Sequence, residues 1–172
     1  MDQNGLKETL HRVYEEFTTY LNSLQPEEFV RVPNGKWTAG QQLDHIIKSV
    51  KPLAQILPNK AFIKEKFGIL ERSGLDYNEL VTTYKKALKN GGKASGKFMP
   101  SAILFEQRKQ LTISLLEHIA LLTQSLQAYS EEELDQMAIP HPLLGKLSIR
   151  EMLYFSIYHV KHHQYHIQEN MD

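Results

Sequence analysis

The chain has 172 residues, of which 41% are hydrophobic and 23% charged, and its 20 Lys and Arg are balanced by 20 Asp and Glu. That length supports one domain over residues 1–172, with roughly 70% of the unfolded surface available for burial. A neutral balance leaves no basic footprint for nucleic acid. With no cysteine in the chain, a disulfide framework, a thiolate metal site and a Cys nucleophile are excluded. No apolar run approaches the roughly 18 residues that span a bilayer, and "MDQNGLKETLHRVYEEF" has no basic segment leading into an apolar one. The expectation is a soluble, cytoplasmic protein with no membrane partner.

Helical periodicity dominates, and no run alternates clearly enough to mark a strand. A first helix is expected from about Gln3 to Leu24, with Leu6, Leu10, Val13, Phe17, Leu21 and Leu24 on one stripe, and Pro26 stopping it. A turn at Asn34-Gly35 precedes Thr38 and Gln41, whose spacing is that of a capping box. The second helix so opened should run to about Leu57, kinked or shortened by Pro52. Residues 59 to 105 read poorly. Within them "DYNELVTTYKKALKN" looks helical, capped by Asp76 with Glu79 and ended by Gly91-Gly92. The basic loop "GGKASGKFMP" follows and is expected to be solvated surface.

A third helix is expected over Ile103 to Tyr129, with Leu111, Leu115, Ile119, Leu122 and Leu126 facing inward. An acidic turn at "SEEELDQM" leads to a second capping box at Ser148 and Glu151, which opens a fourth helix to about Glu169. Four amphipathic helices in a chain of this size make an all-α four-helix bundle, with a short helical insertion between the second and third.

Eight histidines are present, and four crowd into "YHVKHHQYHIQ". With His159 at zero on a helical wheel, the apolar stripe of that helix lies between roughly 80° and 160°, and His163 near roughly 40°. His166 and His162 fall to the other side, near roughly 340° and 300°. The i,i+4 pair His159 and His163 is therefore aimed most nearly inward, and two imidazoles so spaced can reach one ion. A third ligand must come from elsewhere. His45, in "GQQLDHIIKSV", sits at the border of its own stripe, as His159 does, so the two can converge on one pocket. Any one of these residues alone reads more simply as a packed histidine. His118, at the edge of the third helix's stripe, is a fourth candidate. His11 and His162 are expected at the surface, and His141, between two prolines, in a structural loop.

Two stretches carry a family resemblance. "GKWTAGQQLDHIIKS" resembles the Trp-Ser/Thr turn and His-bearing helix of the DinB-like (DNA-damage-inducible) superfamily. "HPLLGKLSIREMLYFSIYHVKHHQYHI" resembles that superfamily's Pro-x-x-Gly-x-x-Ser/Thr turn and HxxxH helix. The resemblance implies a divalent metal ion, Zn or Ni first among the candidates, held by His45, His159 and His163. It also implies the activities of metal-dependent hydrolases or bacillithiol-type S-transferases, with a small-molecule substrate and a low-molecular-weight thiol as a second cofactor. Separately, the surface of the first or third helix could support a homodimer. The superfamily often has Gln where this chain has His166, so that residue could join the site or line it.

Three imidazoles leave coordination positions open, which suits activation of water or of a thiol. No carboxylate is well placed as a general base: Asp44 should face the surface, and Glu151 is committed to capping. Tyr158 and Tyr165 lean away from the His159/His163 side. A non-catalytic metal- or ligand-binding bundle of stress response is the competing reading, and a pH-sensing histidine cluster a third.

Overall fold

The computed structural model describes residues 1–32 and 35–171. Asn34 of the expected turn lies outside them. Helix α1 (Gln3–Ser23) begins where the Asp2 carboxylate accepts the Gly5 N–H at 2.8 Å. Leu6, Leu10, Val13, Phe17 and Leu21 are buried along it as its stripe requires. Pro26 stops α1 and also starts the short α2 (Pro26–Val30), because a first-turn proline lacks only an N–H that would have no helical partner.

Helix α3 (Ala39–Ile56) opens at the expected capping box: the Gln41 N–H donates to Thr38 Oγ1 at 3.1 Å, and the Thr38 N–H donates back to Gln41 Oε1 at 3.0 Å. Pro52 does not end it; the helix runs four residues further. Leu53, Ala54 and Leu57 beyond it are all buried, and their packing outweighs the roughly 3 kcal/mol that an interior proline costs.

The poorly readable segment holds two helices. α4 (Lys60–Phe67) is capped by Asn59, and α5 (Tyr77–Lys89) by the Asp76–Glu79 box. Gly91 carries a φ of 93° after α5, and a Cβ on Gly92 would stand 2.8 Å from the Ala87 carbonyl oxygen, so both positions require glycine.

The third long helix, α6, covers Arg108–Ser125, with single 3₁₀ turns at Phe105–Gln107 and Leu126–Ala128 flanking it. It starts later than its apolar pattern suggests, and Ile103 instead packs over Gly40 of α3. The acidic "SEEELDQM" stretch is a helix rather than a turn: α7 (Glu131–Gln136) opens with a Ser130–Glu133 box. Helix α8 (Ile149–Glu169) begins at the expected Ser148–Glu151 box.

α1 packs against α6 and α8, and α3 packs against the same two, so the four long helices close a ring around a common core. α5 lies outside that ring, against α8. Among the described residues no helix is long and apolar enough to cross a membrane.

One departure from all-helical structure matters for the site. β1 (Ala138–His141) and β2 (Gly145–Ser148) form an antiparallel hairpin, pairing Ile139 with Leu147 and His141 with Gly145. Each strand has four residues and β1 contains Pro140, so neither reads as a strand from sequence. Gly145, with φ of 71°, supplies the left-handed residue that closes the three-residue loop.

Candidate metal centre

α3 and α8 lie side by side in the ring, and this contact brings His45 within reach of His159 and His163. The three are 6%, 4% and 7% exposed. His45 Nε2 is 3.2 Å from His159 Nε2, and His163 Nε2 is 3.0 Å from His159 Nε2. With Zn–N bonds of about 2.0–2.1 Å, the edges of a ligand set are roughly 3.3 Å when tetrahedral and roughly 2.9 Å when facial octahedral. The observed separations fall between those values. These three residues are the group that could hold a metal ion among the described residues.

The tautomers point the same way. His45 Nδ1 lies 2.7 Å from the Phe98 carbonyl oxygen, and His163 Nδ1 contacts Gln42 Oε1. Both partners can only accept, so both Nδ1 atoms carry the proton and both Nε2 atoms offer lone pairs toward His159. Burial holds the pKa of all three histidines below the ordinary value, that of His159 and His163 well below. At neutral pH they are uncharged ligands that need lose no proton to bind a cation. Trp37 walls one side, stacked on His163 with ring centroids 6.1 Å apart and 5.0 Å from the ring of His45. The donors, their buried setting and their fixed tautomers fit a divalent metal-binding site.

His45 and His159 open onto a cavity of about 260 Å³ that also meets α5, the loop after it and the hairpin. Its walls are mostly apolar, including Leu53, Phe67, Leu88, Leu143 and Met152. Phe155 stacks on His159 at 4.6 Å, and the His141 ring packs edge-on against Phe155 at 4.3 Å.

His141 was expected to serve only its loop. It does so, with Nδ1 accepting the N–H groups of Leu143 and Leu144, both at 3.1 Å. The same bonds place the ring proton on Nε2, and His141 lines the cavity one ring away from His159. Burial pushes its pKa down to about 4, so near neutrality it is an uncharged N–H donor.

The other histidines stand apart. His166 neither joins nor lines the site; its Nε2 is 3.1 Å from His162 Nε2, and its Nδ1 lies 3.6 Å from Glu169. His162 is half-buried rather than facing water, stacked on Tyr158, because α5 covers that side of α8. His11 is also half-buried, its Nε2 3.0 Å from Thr123 Oγ1. His118 is half-buried on α6 beside Lys51, outside the cluster.

Neither carboxylate considered from sequence reaches the cavity. Glu151, 1% exposed, takes both Arg72 nitrogens at 2.7 and 2.9 Å, besides the N–H groups of Ser148 and Leu75. Asp44 is not a free surface residue. It accepts from Lys48 at 2.7 Å and from the Ser101 N–H at 2.6 Å, pinning the loop that carries Phe98. Tyr165 is exposed, and Tyr158 packs against Tyr84 and His162.

Gln42 and the Phe98 carbonyl escaped the sequence reading. Gln42 was legible in principle: three residues before His45, it lies roughly 60° round the helix, toward the apolar stripe. A backbone carbonyl leaves no trace in side-chain pattern. In comparisons with known proteins, the family model of the DinB superfamily matches residues 9–167. No curated protein matches the chain.

Proposed function

The chain belongs to the DinB superfamily, and on that premise we propose that it is a metal-dependent enzyme whose divalent ion, Zn or Ni, is held by His45, His159 and His163. The observation that carries this reading is the convergence of three buried Nε2 atoms, two of them with their tautomers set from behind. When bound, the ion supplies Lewis acidity, lowering the pKa of a water or a thiol at its open position.

The residues around the cavity favour the thiol. No Asp or Glu lines it among the described residues, so the chain offers no carboxylate to take a proton from water. A thiol has an ordinary pKa of about 8.5 and needs little help to ionise near neutral pH. The favoured activity is therefore transfer of a low-molecular-weight thiol to a small electrophile bound against the apolar wall. Hydrolysis is the alternative at the same centre. His141 lines the cavity, where its Nε2–H can donate to an acceptor oxygen of the substrate.

Metal analysis of protein purified without an affinity tag tests the centre. About one divalent ion per chain is expected, with loss of that stoichiometry in His45→Ala and His163→Ala. Full metal content in both variants would overturn the assignment. Thiol-conjugation and ester- or amide-hydrolysis assays, each with and without a chelator, then separate the two activities.

A further inference from the structure

The charges facing the cavity are of one sign, although the chain as a whole is neutral. Lys93 and Lys97, both exposed, line it, and no Asp or Glu does. Some of the chain's cations have acidic partners: Lys48 has Asp44, Lys60 has Glu133, Arg72 has Glu151, and Arg150 has Glu131 and Asp135. Among the described residues Lys93 and Lys97 have no carboxylate within ion-pair distance. Lys97 instead lies over the Phe98 ring, 5.3 Å from its centroid. Two free ammonium groups beside a mostly apolar hollow attract an anion and reject a cation.

The loop bearing these lysines is also tied to the site. It supplies the Phe98 carbonyl that sets the tautomer of His45, and Asp44 and Lys48 of α3 hold it at Ser101 and Met99. Lys97 is therefore adjacent in sequence to a residue anchored beside the histidines, and Lys93 lies between that anchor and the end of α5. The volume of about 260 Å³ lies just below the ~300–1,000 Å³ usual for small-molecule sites.

We propose that the cavity takes a small organic acid, its apolar body packed against Leu53, Phe67, Leu143 and Phe155 and its carboxylate paired with Lys93 and Lys97. This rests on the reading of the cavity as the substrate site of the metal centre, and it names the substrate class. Lysine ammonium groups are point charges and do not distinguish a carboxylate from a sulfonate of similar size. The acid is therefore defined by its charge and its apolar body.

Binding of octanoate and octan-1-ol, measured by calorimetry on metal-free protein, tests the proposal without depending on the metal. Octanoate is expected to bind at least tenfold more tightly than octanol, and less tightly as salt is raised. The double variant Lys93→Gln/Lys97→Gln should lose at least fivefold in octanoate affinity with octanol binding unchanged, and Lys161→Gln, away from the cavity, should match the wild type. Both lysines are exposed, so the variants test binding rather than folding. Shifts of the His141 and His159 ring resonances on adding octanoate would place the ligand. Equal binding of acid and alcohol, or full octanoate affinity in the double variant, would overturn the proposal. Octanoate binding that appears only after metal loading and ignores the lysines would place the carboxylate on the metal. That result overturns the proposal and leaves the metal centre standing. Failure of the chain to take up metal would remove the centre while leaving the octanoate comparison valid.

Discussion

Among single residues, Gln42 shows how much of the candidate centre lies behind the three histidines that could hold a metal. Its Oε1 faces the Nδ1 proton of His163, a buried donor with no water to turn to. Outer partners of this kind orient a ligating imidazole and raise its basicity, and losing one typically costs 10–100-fold in metal affinity. Gln42→Leu removes the acceptor at similar size, and a loss in that range is expected from competition with a chromophoric chelator. Gln42→Glu keeps an acceptor and should retain most of the affinity. Wild-type affinity in the leucine variant would mean that the ring orientation of His163 is set by packing alone. Gln42 is a positioning residue, and its helix register made it visible in principle; the Phe98 carbonyl opposite His45 was not, because any residue has one.

Among elements, the start of α8 is held from two directions. Glu151 caps the helix through Ser148 and also receives Arg72 and the Leu75 N–H from the segment between α4 and α5. One buried carboxylate thus ties the insertion to the helix that carries His159 and His163. Glu151→Ala removes a cap acceptor and strands two backbone donors, an expected loss of about 2–3 kcal/mol in urea unfolding. Metal stoichiometry should be unchanged in the folded variant, because Glu151 does not line the cavity. Loss of metal without loss of stability would instead give Glu151 a direct part in the centre. The capping box itself was legible from the Ser148–Glu151 spacing. Its second partner was not, since Arg72 is 79 residues away in sequence.

For the whole molecule, burial of neutral histidines makes stability depend on pH. His141, His159 and His163 all have folded-state pKa values below the ordinary 6.5. Above pH 6.5 neither the folded nor the unfolded chain protonates them, and stability is flat on their account. Below it the unfolded chain takes up protons that the folded chain refuses, so stability falls as pH drops from 6.5 towards the folded values. With His141 at about 4, that residue alone accounts for about 2 kcal/mol between pH 7.5 and pH 5. At about 2–4 °C per kcal/mol for a chain of this size, metal-free protein should melt at least about 4 °C lower at pH 5. Bound metal should oppose the change, since it binds the folded form and competes with protons for the same nitrogens. A melting temperature that is level across this range would show that the three rings are open to protons in the folded state.

Local pattern alone determined the helical class, the stripes of α1, α3 and α8, the capping boxes that open α3, α5 and α8, and the inward side of His159 and His163. These follow from helical period and first-turn hydrogen bonding, which act over a few residues. Helical register also marked His45 as a candidate, and the resemblance joined it to His159 and His163 as an expected third ligand. Tertiary structure decided what depends on contacts between distant segments. A four-residue strand containing a proline is held by pairing with its partner and by packing against the helices beside it. The same packing turned His141 from a loop residue into a cavity donor and covered His162 with α5. It also brought Phe98 to within hydrogen-bonding distance of His45, 53 residues away in sequence. Sequence spacing can place a side chain on a face of its own helix, but only the packed chain decides what that face meets.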